Sequence, residues 1–118
     1  MENKTLRNEV NLLHAQICQG LADPKRILLL YYLADGPRRV TDLAGALELP
    51  QPTVSHHLRV LRERGLVRSE RRGTEVYYTL IDPRVVQALD LLRAVLADLL
   101  ARQADLVDRA ISRGEQGV

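Results

Sequence analysis

Apolar residues at Leu6, Val10, Leu13, Ile17 and Leu21 recur at steps of three and four. That spacing predicts one face of a helix over about 6–21, weakened at its end by Gly20. Asp23-Pro24 is a start signal, an N-capping Asp followed by Pro at the first helical position. A second helix is expected over about 24–34, with Ile27, Leu28, Leu30 and Tyr31 facing inward, stopped by Asp35-Gly36-Pro37. A short helix at about 41–47 carries Leu43, Ala44 and Leu47. Gln51-Pro52-Thr53 opens another, running to about Arg64 and stopped by Gly65. Beyond Gly65 the period changes to two. Residues 66–70 and 75–80 read as strands, joined by the turn Arg71-Arg72-Gly73-Thr74 into a hairpin. Asp82-Pro83 starts a last helix that meets no breaker until about Ile111. Its Leu89, Leu92, Leu96, Leu99, Gln103, Leu106 and Ala110 form a heptad-like seam, widened by Val95, Leu100, Val107 and Ile111. Residues 112–118 read as a frayed tail.

This order predicts a mainly α fold with a small β-hairpin, organised as one domain over 1–118. A tight turn joins the helices within 41–64, which fits a helix-turn-helix, and the hairpin over 66–80 makes it a winged one. At 46% hydrophobic, the chain has the material for a packed core. It contains no apolar run long enough to span a membrane, and Met1-Glu2-Asn3-Lys4-Thr5 does not resemble a secretory signal. Cys18, the single cysteine, cannot form an intrachain disulfide, so a reducing, cytoplasmic setting is expected. The aromatics are limited to Tyr31, Tyr32, Tyr77 and Tyr78, which disfavours a stacking platform for single-stranded nucleic acid.

Net charge is only +2, but it is unevenly placed. Residues 51–81 hold six arginines against three glutamates, whereas 1–50 balance and 82–118 carry one excess acidic group. A local basic patch on a near-neutral chain suits a polyanion-binding face; the competing reading is a solvated surface with Arg as its default cation.

The segment 51–64 is the candidate DNA-reading helix. At 100° per residue Val54, His57, Leu58 and Leu61 share one side, and Pro52, His56, Arg59 and Glu63 the other, with Thr53, Ser55 and Arg62 between. A helix entering the major groove needs one anchored side, and another with short polar groups near its N-terminus and an Arg further on. The expected DNA-contacting set is Gln51, Thr53, Ser55, His56, Arg59 and Arg62, with Arg71 and Arg72 of the hairpin turn beside the groove. His57 borders the core and reads as a packed, hydrogen-bonded histidine, and Glu63 is placed to pair with Arg59.

Leu21-Ala22-Asp23-Pro24-Lys25-Arg26-Ile27, Leu43-Ala44, Gln51-Pro52-Thr53-Val54-Ser55-His56-His57-Leu58, Leu61, Gly65-Leu66-Val67 and Gly73 with Val76-Tyr77-Tyr78 together resemble the ArsR/SmtB family of prokaryotic winged-helix repressors. The resemblance spans about residues 10–110. It implies a homodimer formed by the first and last helices, over about 6–21 and 83–111, bound to double-stranded DNA at an inverted-repeat operator. Leu6, Val10, Leu13, Ile17, Leu89, Leu92, Leu96, Leu99 and Leu106 would form that interface. The long apolar seam also asks for a partner on its own account.

Many relatives sense metals, and the resemblance can be followed to each site. Where some carry a Cys-x-Cys pair before the Asp-Leu of the third helix, this chain has Arg39 and Thr41 before Asp42-Leu43. Where others carry Asp and His ligands on the last helix, it has Asp90, Asp98, Asp105 and Asp108 but no histidine. His14 and Cys18, four apart, could meet their copies across a dimer as a His2Cys2 metal set, or Cys18 could act as a thiol sensor. Packing of Cys18 beside Ile17 as a small hydrophobe is the favoured reading.

The leading expectation is therefore a dimeric transcriptional repressor with no cofactor, no membrane partner and an unidentified effector. A constitutive or architectural DNA-binding protein, and a winged helix used for protein contacts, are the competing classes. An enzyme is not expected: there is no Gly-rich phosphate loop, and Asp42, Ser55, His56 and His57 lack nucleophile–base–orienter spacing.

Overall fold

The computed structural model describes residues 3–116. Helix α1 spans Asn3–Leu13 and continues into a π-helical turn, His14–Cys18, where the sequence predicts one regular helix to about 21. Gln19 N donates to the carbonyl of His14 at 3.0 Å, five residues back, which is the π-helical bond. Arg64 donates to the carbonyl of Ala15 within this turn, and Arg26 donates to those of Gly20 and Gln19 just beyond it at 2.7 and 3.2 Å.

Helix α2 spans Pro24–Ala34, and Asp23 caps it by accepting from Lys25 N at 2.8 Å. Its buried residues are Leu29, Leu30 and Leu33. Of the four expected inward, Leu30 alone is fully buried, Ile27 and Tyr31 are half-buried, and Leu28 is exposed. Residues 27–33 are apolar or aromatic on every side, so periodicity carries no information on which side the fold buries.

A two-residue strand, β1 (Arg38–Arg39), was not expected, because two residues have no period to read. Helix α3 (Val40–Leu47) follows directly, with the Asp42 carboxylate accepting from Arg39 N at 3.1 Å in a capping box. Glu48, at φ +55°, ends it in the left-handed region. Helix α4 (Gln51–Glu63) begins after Pro50 and buries Val54, His57, Leu58 and Leu61, the side that periodicity assigns to the core.

Strands β2 (Val67–Arg72) and β3 (Glu75–Leu80) pair antiparallel from Val67↔Leu80 to Arg72↔Glu75, and β1 lies on the other edge of β3. This corrects the turn. Arg71 and Arg72 belong to β2, and Gly73-Thr74 alone connects the strands, with Gly73 at φ +64° supplying the backbone that a two-residue hairpin requires. In a strand the two arginines point to opposite faces of the sheet. Arg72 shares a face with Arg68, Glu70, Glu75 and Tyr77, while Arg71 shares the other with Ser69 and the buried Val67. Helices α3 and α4 with the three-stranded sheet make a winged helix-turn-helix.

Helix α5 spans Arg84–Gln116, so residues 112–116 are helical and not the predicted tail, while 117–118 lie outside the described residues. One glycine, Gly114, costs about 1 kcal/mol and does not end a helix that long. Internal contacts divide the chain between Pro83 and Arg84 into two compact units. The core of the first unit is Leu29, Leu30, Leu33, Leu43, Ala44, Val54, Leu58, Leu61, Leu66 and Val67. Among the described residues no helix is long and apolar enough to cross a membrane.

Candidate nucleic-acid interface

With Val54, His57, Leu58 and Leu61 buried, α4 leaves Gln51, Ser55, His56, Arg59 and Arg62 exposed and Thr53 half-buried. Gln51 and Thr53 lie in the first turn, where the positive end of the helix dipole favours an anion. Arg59 does not pair with Glu63 as expected. Its Nη2 lies 3.0 Å from Nδ1 of His56, one turn earlier. A neutral His56 can accept from that guanidinium and hold it over the exposed face, leaving donors free for a guanine edge. Arg62 reaches Ser69 Oγ at 3.5 Å and so borders the wing. Replacement of Arg59 by Ala is expected to lose about 1–3 kcal/mol on the preferred duplex and to relax discrimination at one base pair. Titrating that duplex and its single-base variants checks this; an equal loss on every variant would make Arg59 a phosphate contact.

His57 links this helix to α2. Its Nδ1 lies 3.2 Å from Arg26 Nη1, and its Nε2 lies 4.0 Å from Asp23 Oδ2. Burial lowers the His57 pKa from the ordinary 6.5; Asp23 opposes the shift, and Arg26, His56 and Lys25 add to it. The hydrogen bond from Lys25 N holds the Asp23 carboxyl below the usual carboxylate range. The folded chain thus binds a proton at His57 less readily than the unfolded chain. The stability this contributes is complete above the unfolded value of 6.5 and drains away as pH falls from there through the folded value. The melting temperature should fall as pH drops below about 6.5, and more steeply than that of His57→Gln. Parallel profiles for the two proteins would remove His57 from the account.

On the wing, Arg68, Arg71 and Arg72 are exposed. The Arg72 guanidinium lies over the Tyr77 ring, 4.8 Å from its centroid, and its Nη2 is 3.4 Å from Glu70 Oε2. Arg39, unassigned by the sequence beyond its match to a metal-ligand position, donates to Asp42 of α3 and, through Nη1, to Glu75 Oε1 of the wing at 2.8 Å. The position where the resemblance would put a soft ligand therefore holds a cation already paired with two carboxylates. A partner 36 residues away is invisible to local pattern.

Each unit carries an exposed apolar face. In the first, Leu6, Val10 and Leu13 are exposed and Ile17 is half-buried. On α5, Leu92, Leu96, Leu99 and Leu106 are exposed, together with Leu91, Val95, Leu100, Val107 and Ile111. Cys18 is exposed, which removes core packing from its readings. His14 and Cys18 open and close the π-helical turn, and no group of three or more potential metal ligands occurs among the described residues.

The family described as bacterial regulatory protein, arsR family, matches residues 23–69, from the cap of α2 through α3 and α4 into β2. A repressor from Streptomyces lividans, named as a probable mercury resistance operon repressor, is 35% identical over 102 residues, 86% of this chain and 81% of its own. The chain belongs to the arsR family. Other arsR-family relatives match over a shorter stretch. The HTH-type transcriptional regulator NmtR of Mycobacterium tuberculosis is 49% identical over 76 residues, 64% of this chain and 63% of NmtR. The chain spans about half to two thirds of the length of several curated relatives. In structure it resembles a homodimeric winged helix-turn-helix DNA-binding domain from Mycobacterium bovis, with a TM-score of 0.71 and 27% identity over 86% of this chain and 93% of that one.

Proposed function

We propose that this arsR-family protein is a cytoplasmic, homodimeric transcriptional repressor that binds an inverted-repeat operator in double-stranded DNA and is not an enzyme. The observation that carries this reading is the two-sided α4. One side is locked into the core by Val54, His57, Leu58 and Leu61, and the other presents Gln51, Ser55, His56 and Arg59 outward. Such a helix can enter the major groove without unfolding anything. Arg62, Arg71 and Arg72 add positive charge beside it for phosphates. The apolar faces of α1 and α5 supply the surface for a second copy. Twofold symmetry then sets two α4 helices about one helical turn apart on the duplex. Occupying the operator excludes polymerase, and an effector that favours a different dimer geometry would misalign the two helices and release them.

Selection from a random duplex library at near-physiological salt tests the reading. An enriched inverted repeat is the expected result. A folded, dimeric protein that enriches no sequence would overturn it in favour of architectural binding or a protein partner.

A further inference from the structure

Four side chains connect the first turn of α3 to the exposed face of the wing. Asp42 accepts from Arg39 Nη2 at 3.1 Å and from Nε at 3.2 Å. Arg39 Nη1 donates to Glu75 Oε1 at 2.8 Å, and the Tyr77 hydroxyl donates to Glu75 Oε2 at 3.2 Å. Each carboxylate oxygen of Glu75 thereby has a partner that turns it toward Arg39 and Tyr77. This matters because Glu75 is the direct cross-strand partner of Arg72. Opposite charges facing each other across an antiparallel pair ordinarily attract. Here Arg72 instead stacks on Tyr77, 4.8 Å from the ring centroid, with Glu70 Oε2 at a loose 3.4 Å. Its charge at the tip of the wing is met by one exposed carboxylate, Glu70, and not by Glu75.

We propose that Arg39 is a positioning residue for DNA binding: by holding Glu75, it keeps a second carboxylate off Arg72 and leaves the Arg72 guanidinium stacked on Tyr77 with only the exposed Glu70 pair to exchange for a backbone phosphate. The inference rests on the reading of the wing as a DNA-contacting element. Asp42 serves as the anchor, since its two bonds to Arg39 fix the direction of the guanidinium fork. All these pairs are solvent-exposed, so their direct contribution to fold stability is small and their effect is geometric. Released from Arg39, Glu75 would turn to the cation opposite it, and a second carboxylate beside Glu70 would compete with phosphate for Arg72.

The test is a set of titrations on a duplex selected by the wild-type protein, repeated over a range of salt. Arg39→Ala is expected to weaken binding about three- to tenfold and to flatten the salt slope by about one ion, as Arg72→Ala does. In the Arg72→Ala background, Arg39→Ala should have no further effect. Combined with Arg71→Ala, on the opposite face of the sheet, it should be additive. Adding Glu75→Gln to Arg39→Ala should restore affinity, because the competing charge is gone. A purely structural Arg39 predicts no such rescue. Loss of affinity that persists in the Arg72→Ala background and is not rescued by Glu75→Gln would overturn the proposal, making Arg39 a direct contact or a fold determinant. Wild-type binding by Arg39→Ala would overturn it as well. If Arg72→Ala itself binds like the wild type with an unchanged salt slope, the DNA-contacting wing is what fails. Thermal melts of each variant accompany the titrations. Should Arg39→Ala melt early, Tyr77→Phe frees Glu75 Oε2 from the other side. A binding loss for Tyr77→Phe that Glu75→Gln reverses supports the proposal, and one that it does not reverse counts against it.

Discussion

Leu99→Glu is expected to convert the protein into a folded monomer that has lost operator binding. Leu99 lies on the exposed apolar face of α5 with Leu92, Leu96 and Leu106 around it. Glu is a good helix former, and the position is open to water in the single chain, so α5 itself should persist. In a symmetric dimer the substitution acts twice, placing two like-charged carboxylates on the apolar face that would be buried. The monomer that results can hold only one half-site. Losing the second contact, which binds at high effective concentration once the first is made, lowers affinity by about 10²–10⁴. Sedimentation and operator titration, with a thermal melt as control, would show this. A dimer of wild-type affinity would remove the α5 face from the interface.

Leu58→Ala should produce the largest loss of fold stability. Leu58 is fully buried, and it anchors α4 one position before Arg59. Truncating a buried leucine costs about 2–5 kcal/mol through lost transfer energy and the cavity left behind. That is a large fraction of the roughly 5–15 kcal/mol holding a small domain together. Chemical denaturation should show a lower midpoint with an unchanged slope. In DNA titrations the active fraction should fall, while the molecules still folded keep their affinity. Arg59→Ala should do the reverse, weakening the complex and leaving the midpoint alone. A Leu58→Ala protein as stable as the wild type would show that α4 is anchored elsewhere. These outcomes separate the two sides of one helix: adjacent residues, one serving the core and one the duplex.

Much of this was legible in local pattern. Helix caps such as Asp23-Pro24, the stop at Gly65 and the buried side of α4 depend on residues within one or two turns of each other, where backbone geometry and side-chain period act directly. The match of residues 23–69 to the arsR family falls on the same stretch. Local pattern failed where the chain is apolar on all sides, as in α2, and at the hairpin turn. There Arg71-Arg72-Gly73-Thr74 carries the composition of a loop, yet the strand continues to Arg72 because β3 offers Glu75 as its partner. The two arginines are thereby sent to opposite faces, a consequence no composition rule contains.

Residue order alone accounts for the main helices and the hairpin, the winged helix-turn-helix and the exposed polar side of α4, because short-range sterics, capping and burial of periodic apolar residues suffice for them. Contacts between residues far apart in the chain account for the rest. Arg64 and Arg26 reach back to the carbonyls of Ala15, Gln19 and Gly20, in and just beyond the π-helical turn. His57 sits beside Arg26 and Asp23, 31 residues upstream in the case of Arg26. Arg39 meets Glu75 because β1 lies against β3, which brings two distant charges within 2.8 Å. A hydrogen bond or ion pair needs only proximity and direction, and proximity across such distances in sequence comes from packing.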